Sequence, residues 1–130
     1  MKTPPLHNKI ILVTGASSGI GAAAALAFNA AGAKIAIASR RKENLDKLAA
    51  RMSGALVIPV DLTVEADARD MIRKVIARYG RIDVLVNNAA SIIVDKADVV
   101  KSEDLVTAFR TNLIAPVIAT QEALIFMRKQ

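Results

Sequence analysis

The residues best suited to chemistry form one continuous segment, Thr14-Gly15-Ala16-Ser17-Ser18-Gly19-Ile20-Gly21. Before it runs Lys9-Ile10-Ile11-Leu12-Val13-Thr14, an apolar stretch that reads as a buried strand. After it, residues 18–31 are rich in alanine and read as a helix closed by Gly32. A strand, a tight glycine turn and a helix N-terminus together favour an anion, because free N–H groups and partial positive charge point at it. Gly15 permits the sharp exit from the strand, Gly19 lets the backbone approach a phosphate, and Gly21 lets the helix pack closely. Ser17 and Ser18 can add hydroxyl donors, and Ile20 belongs to the same turn. The spacing is G-x-x-x-G-x-G rather than the commoner G-x-G-x-x-G. Taken alone, the segment is also compatible with a glycine-rich loop that holds nothing.

Two further places break the expected pattern. In a dinucleotide fold, an acid about 20 positions after the glycines accepts the ribose 2′-hydroxyl of NAD. This chain reads Ser39-Arg40-Arg41 there, and its first acid, Glu43, falls in the next helix. Arg40 can offer a fork of donors to a 2′-phosphate, which favours NADP over NAD; ordinary solvated arginines at a helix start are the alternative. The second break is Pro116, inside a helical pattern. Proline has no N–H, so the carbonyl of Asn112 loses its helical partner and the helix should kink. A free carbonyl facing a cleft is a natural place for an ordered water; a simple bend around a sheet is the alternative.

The elements that must position these residues alternate regularly. After the first strand and helix, Lys34–Ala38 reads as a second strand, and Leu45, Leu48, Ala49 and Met52 recur at helical spacing before Gly54. Ala55–Val60 is a third strand. Thr63 is placed to cap a helix with Ala68, Met71, Ile72, Val75 and Ile76 inward, closed by Gly80. Ile82–Asn87 is a fourth strand. Ser102 is placed to cap a last helix whose Leu105, Ala108, Phe109, Asn112 and Leu113 share one face. Continuously apolar strands alternating with helices predict an α/β fold with a doubly wound parallel sheet of order 3-2-1-4. Ligands then bind at the switch point between strands 1 and 4, at their C-terminal ends. Residues 1–130 read as one nucleotide-binding domain.

Composition narrows the functional classes. The chain has no cysteine and one histidine, His7, so thiolate chemistry and His-based metal sites or triads are excluded. No apolar run approaches the ~20 residues of a membrane span. The start of the chain does not read as a signal peptide, which predicts a cytoplasmic protein. The net charge is +6, but the basic residues are scattered and only 3% of the chain is aromatic, so no basic stripe with stacking platforms is present and nucleic acid is not expected as a partner. A solvated surface with one local phosphate site accounts for the charge better.

Four features in order make the sequence resemble the short-chain dehydrogenase/reductase family: the turn at 14–21, Asp61-Leu62-Thr63, Asn87-Asn88-Ala89-Ala90, and Asn112. Together they cover residues 8–130. The resemblance implies a Rossmann-type oxidoreductase, a nicotinamide cofactor whose pyrophosphate sits on the 14–21 turn, and a small carbonyl or alcohol substrate. It places Asp61 and Leu62 beside the adenine, and Asn88, Ala89 and Ala90 along the cofactor, with Asn87 stabilising the central strands. The family usually carries glycine where this chain has Ala90. Asn112 is implied to bind a water in a proton relay to the catalytic lysine. A homo-oligomer is also implied.

The family's catalytic serine and Tyr-x-x-x-Lys are not found here. The single tyrosine, Tyr79, is followed four residues on by Asp83 and reads as a packing residue. The expectation is that these groups lie beyond Gln130, and that the chain is the cofactor half of an enzyme about twice as long, ending before a fifth strand. On that view the chain alone is inactive and self-associates through the unpaired edge of strand 4 or expresses poorly. A non-catalytic NADP-binding module is the alternative.

Overall fold

The structure is a computed structural model and describes residues 2–130. Four parallel strands form one sheet: β1 (Ile10–Thr14), β2 (Lys34–Ser39), β3 (Leu56–Pro59) and β4 (Val84–Val86), in the order β3-β2-β1-β4. The helices are α1 (Gly19–Ala30), α2 (Lys42–Ala49), α3 (Glu65–Tyr79), α4 (Ser102–Phe109) and α5 (Ala115–Met127). The doubly wound α/β sheet predicted from the alternation is the one observed.

Side-chain alternation along β1 explains the two layers. Ile10 and Leu12 join Ala36, Ala38, Ile58, Met71, Ile72 and Val75 on the face covered by α3 and α5. Ile11 and Val13 join Ile35, Ile37, Ala25, Leu45 and Leu48 on the face covered by α1 and α2. Strands apolar on both faces need helices on both faces, so the continuous apolar runs of the sequence become this three-layer arrangement. The register is straight: Leu12 pairs with Ala36 on one side and Leu85 on the other. Asp83 ties the start of β4 to β1, its Oδ2 accepting the Ile10 N–H at 2.8 Å. Burial pushes the Asp83 carboxyl up, but the Ile10 N–H, Arg81 and Lys9 outweigh it and hold its pKa below the usual value. Tyr79 packs as expected, its hydroxyl donating toward the Ile35 and Gly54 carbonyls at 3.2 and 3.3 Å.

Three local expectations are corrected. Thr63 does not cap α3: the residue before the helix is Val64, and the Thr63 hydroxyl instead donates to Asp61 at 2.7 Å. Ser102 is the first residue of α4 rather than its cap, and no side chain caps that helix. The helix α2 stops at Ala49, and Met52 follows in a turn that donates to the Ala49 carbonyl. The shared face of Leu105, Phe109 and Leu113 lies open to solvent, these residues being 46%, 60% and 55% exposed. Helical periodicity reports that such a stripe exists, not what covers it.

The break around Pro116 takes a definite form. Residues Arg110–Ile114 form a π-helical turn joining α4 to α5, and the Ala115 N–H donates to the Arg110 carbonyl five residues back. Widening the helix just before Pro116 absorbs the missing donor without ending the helix. Proline then occupies the first turn of α5, where its lack of N–H is tolerated.

Candidate functional site

At the C-terminal ends of the strands lies a cleft of about 320 Å³. It is lined by Gly15, Ser17, Ser18, Arg40, Asp61, Leu62, Asn88, Ala89 and Ala90 from the expected set. Ser39, Arg41, Thr63, Ser91, Thr107 and Thr111 share the lining. The fold therefore gathers residues from four loops at the predicted switch point. Gly19, Ile20, Gly21 and Asn112 are not in that lining.

The turn at 14–21 is built around Thr14 and Asn88. Thr14 is buried, and its hydroxyl donates to the Val86 carbonyl at 3.3 Å while accepting the Asn88 and Ala89 N–H groups at 3.1 Å each. The Asn88 carboxamide donates to the main-chain carbonyls of Thr14 and Gly15 at 2.9 and 3.2 Å. The end of β4 thus clamps the end of β1 and fixes the mouth of the cleft. Side-chain volume at two glycines would break this clamp. A Cβ on Gly15 would stand 2.7 Å from the Ala89 Cα, and one on Gly21 would collide with Asn88 Nδ2 and stand 2.6 Å from the Gly15 carbonyl oxygen. Gly21 therefore makes room for the Asn88 bond as well as for the helix. Gly19 differs: its φ is 57° and a Cβ added there would meet nothing within 4 Å, so its backbone lies open to an approaching group. Ile20, beside it, is 82% exposed.

Charge is distributed unevenly around the rim. Arg41 Nη2 donates to Ser17 Oγ at 3.0 Å and Ser18 Oγ at 3.3 Å. The Asp61 carboxylate accepts both the N–H and the hydroxyl of Thr63, at 2.9 and 2.7 Å. Those bonds hold its pKa below the ordinary value, and the Arg40 charge adds to the effect. Ser39 Oγ is buried and has no hydrogen-bond partner. A buried hydroxyl left unpaired beside two arginines fits a site that takes a polar, anionic group.

Asn112 acts on the cleft from outside it. Its carboxamide accepts the Ser91 N–H at 2.6 Å and donates to the Ser91 carbonyl at 2.7 Å. Both main-chain groups of Ser91 are thereby held, which pins the loop after β4 to the π turn. Asn87 bonds outward instead, to Thr120 Oγ1 at 3.3 Å. The sequence alone does not single out Arg41 and Ser91, which the structure places in the lining. The adjacency of Arg41 to Arg40 was visible, but its reach to the turn depends on how β2 and β1 stand side by side.

This geometry accompanies a match over residues 9–130 to the family model described as short chain dehydrogenase. The chain belongs to the short-chain dehydrogenase family. It is 39% identical over 131 residues to a 3-oxoacyl-[acyl-carrier-protein] reductase of Thermotoga maritima, covering 96% of this chain and 52% of that protein. It is 33% identical over 129 residues to an uncharacterized oxidoreductase, YxjF, of Bacillus subtilis, covering 96% of this chain and 50% of that one. Among solved structures, a short-chain dehydrogenase from Streptomyces avermitilis superposes with a TM-score of 0.88 at 39% identity, covering 94% of this chain and 45% of that one. A 3-ketoacyl-(acyl-carrier-protein) reductase from Brucella melitensis, complexed with NADH, does so with a TM-score of 0.88 at 26% identity, covering 95% and 52%. The chain spans about half the length of the curated relatives it matches. No helix among the described residues is long and apolar enough to cross a membrane.

Proposed function

We propose that this chain is the cofactor-holding part of an NADP-dependent short-chain dehydrogenase that interconverts a carbonyl and an alcohol. The observation that carries the NADP preference is the end of β2: Ser39, Arg40 and Arg41 line the cleft where an NAD site would hold a carboxylate. The bound cofactor supplies the hydride for that exchange.

The residues of the chain have distinct tasks in this reading. The backbone at Gly15 and Gly19, with Ser17, Ser18 and the N-terminus of α1, holds the pyrophosphate, and Ile20 and Gly21 complete that turn. Asp61 and Leu62 border the adenine. Asn88, Ala89 and Ala90 line the ribose and phosphates, Asn88 doing so while it clamps the turn. The Asn112 carbonyl, without an α-helical donor at Pro116, holds a water that passes a proton toward bulk solvent. The serine and the Tyr-x-x-x-Lys pair of the family belong, on this reading, to the whole protein rather than to residues 1–130. The reading extends to a small-molecule substrate, a cytoplasmic place and a homo-oligomer. The exposed apolar stripe at Phe109 and Leu113 suits the last of these.

Calorimetric titration with NADPH and NADH tests the reading. Binding of NADPH at least about tenfold tighter than NADH is expected, equivalent to about 1.4 kcal/mol. Equal affinities, or tighter NADH, reject the NADP assignment while leaving the family intact.

A further inference from the structure

Among the described residues, Glu122 is the one buried charged residue. It lies on α5, and its side chain is 5% exposed. Two arginines of α3 reach its carboxylate: Arg73 Nε donates to Oε1 at 2.9 Å, and Arg69 Nη1 donates to Oε2 at 3.3 Å. Arg73 Nη1 also donates to Asp70 at 3.3 Å, which steadies that arginine on α3. A buried carboxylate is costly to desolvate, so its value lies less in stability than in fixing one arrangement of the chain. Neither Glu122 nor its two arginines line the cleft, so cofactor binding does not by itself account for them.

The packing of α5 shows what needs fixing. Ala115, Ala119 and Ala123 are buried, and the last two belong to the core cluster that contains Met71, Ile72 and Val75 of α3. Alanine at every fourth position presents the same smooth face after a slip of one turn, about 6 Å along the helix. The larger side chains Val117, Leu124 and Ile125 are exposed and cannot set the register. Phe126 and Met127 reach the core only in the last turn. The bonds from Asn87 to Thr120 and from the Gln130 carboxamide to Ile82 tie this region to the β4 side rather than to α3. Glu122 is what distinguishes one register on α3 from the next. A slip of one turn would bring Ile118 or Phe126 to the two arginines.

We propose that Glu122, gripped by Arg69 and Arg73, sets the register of α5 on α3 and is thereby a positioning residue for the cofactor cleft. The path to the cleft is continuous. The helix α5 follows directly on the π turn, whose Asn112 holds both main-chain groups of Ser91. Ser91 and Thr111 line the cleft. A one-turn slip of α5 would carry Asn112 away from Ser91 and move that wall. The inference rests on the reading that the cleft holds a nicotinamide cofactor.

The test separates register from stability. Glu122→Met fills the place of the carboxylate with an apolar side chain of similar length. Its urea midpoint should be no lower than that of the unmodified protein, because the desolvation cost of the carboxylate is gone. NADPH affinity by calorimetry should nevertheless fall about fivefold. The Ser91 amide should exchange with deuterium about tenfold faster by NMR. A merely structural role would move binding only together with stability. The Arg69→Gln/Arg73→Gln double variant releases the grip from its more exposed side and should reproduce both losses, whether or not Glu122→Met folds. In a protein that binds NADPH, unchanged affinity or unchanged Ser91 exchange in the double variant overturns the proposal. If the unmodified protein binds neither NADPH nor NADH, the cofactor reading fails, and Ser91 exchange alone decides the register assignment.

Discussion

The two sides of β1 are finished to different degrees. Toward β2, the strand residues Ile11, Val13, Ile35 and Ile37 are sealed beneath α1 and α2 with Ala25, Leu45 and Leu48. Toward β4, the sheet ends in a three-residue strand whose Val84 is partly exposed, and the helices beyond it present Phe109, Leu113 and Val117 to solvent. The same amino-acid types thus serve as core on one side and as open surface on the other. The difference teaches that apolar periodicity measures a residue's capacity for burial, whereas its stability contribution depends on what neighbours arrive.

Substitutions can break or sharpen this contrast, and the largest effect belongs to the finished side. Leu12→Ala, at a fully buried position, is expected to cost about 2–5 kcal/mol in urea unfolding. A loss under about 1 kcal/mol would show that the sheet interior is not packed as described.

Next in size is the seam between the sides. Gly21→Ala places a methyl against Asn88 Nδ2 and the Gly15 carbonyl oxygen, which should cost about 1–3 kcal/mol by overpacking. The same variant should weaken cofactor binding, because the clamp that shapes the turn must shift. A variant with wild-type melting and binding would mean that the clamp can relax freely.

A smaller effect depends on pH. The Asp83 carboxyl has a lower pKa in the folded chain than when unfolded. Its stabilisation is therefore complete above the unfolded value of about 3.9 and is lost as pH falls through the lower folded value. Asp83→Asn should be less stable than wild type at pH 7, and the gap should close in acid. Thermal melts between neutral pH and strong acid measure this; a gap that stays constant would assign the loss to shape rather than charge.

The smallest effect is expected on the open side. Phe109→Ser should change the stability of this chain by no more than about 0.5 kcal/mol, since the side chain is already 60% exposed. A loss above about 2 kcal/mol in urea unfolding would erase the contrast, because Phe109 would then be functioning as core.

Much of the cleft could be read from local sequence. Gly15, Gly19 and Gly21 carry their meaning locally, since a turn between strand and helix needs small residues at set positions. The strand runs also carry their layers locally, because successive side chains point to opposite faces. Thr63 shows the limit of such reasoning: the same hydroxyl suits a helix cap or an Asp61 partner, and local sequence does not choose between them. The stripe at Leu105, Phe109 and Leu113 shows another limit, because periodicity cannot see the far side of a contact.

What the sequence by itself determined was the order of elements, the sheet topology that order entails, and the place of the glycine turn, all of which follow from short-range sterics and apolar patterning. Tertiary structure alone decided the pairings across that order: Thr14 with Asn88, Ser91 with Asn112, and Arg41 with Ser17 and Ser18. Each joins residues at least 21 positions apart, the spacing between Ser91 and Asn112. Hydrogen bonds act over about 3 Å in space, so no spacing along the chain can announce them until β1 has been set between β2 and β4.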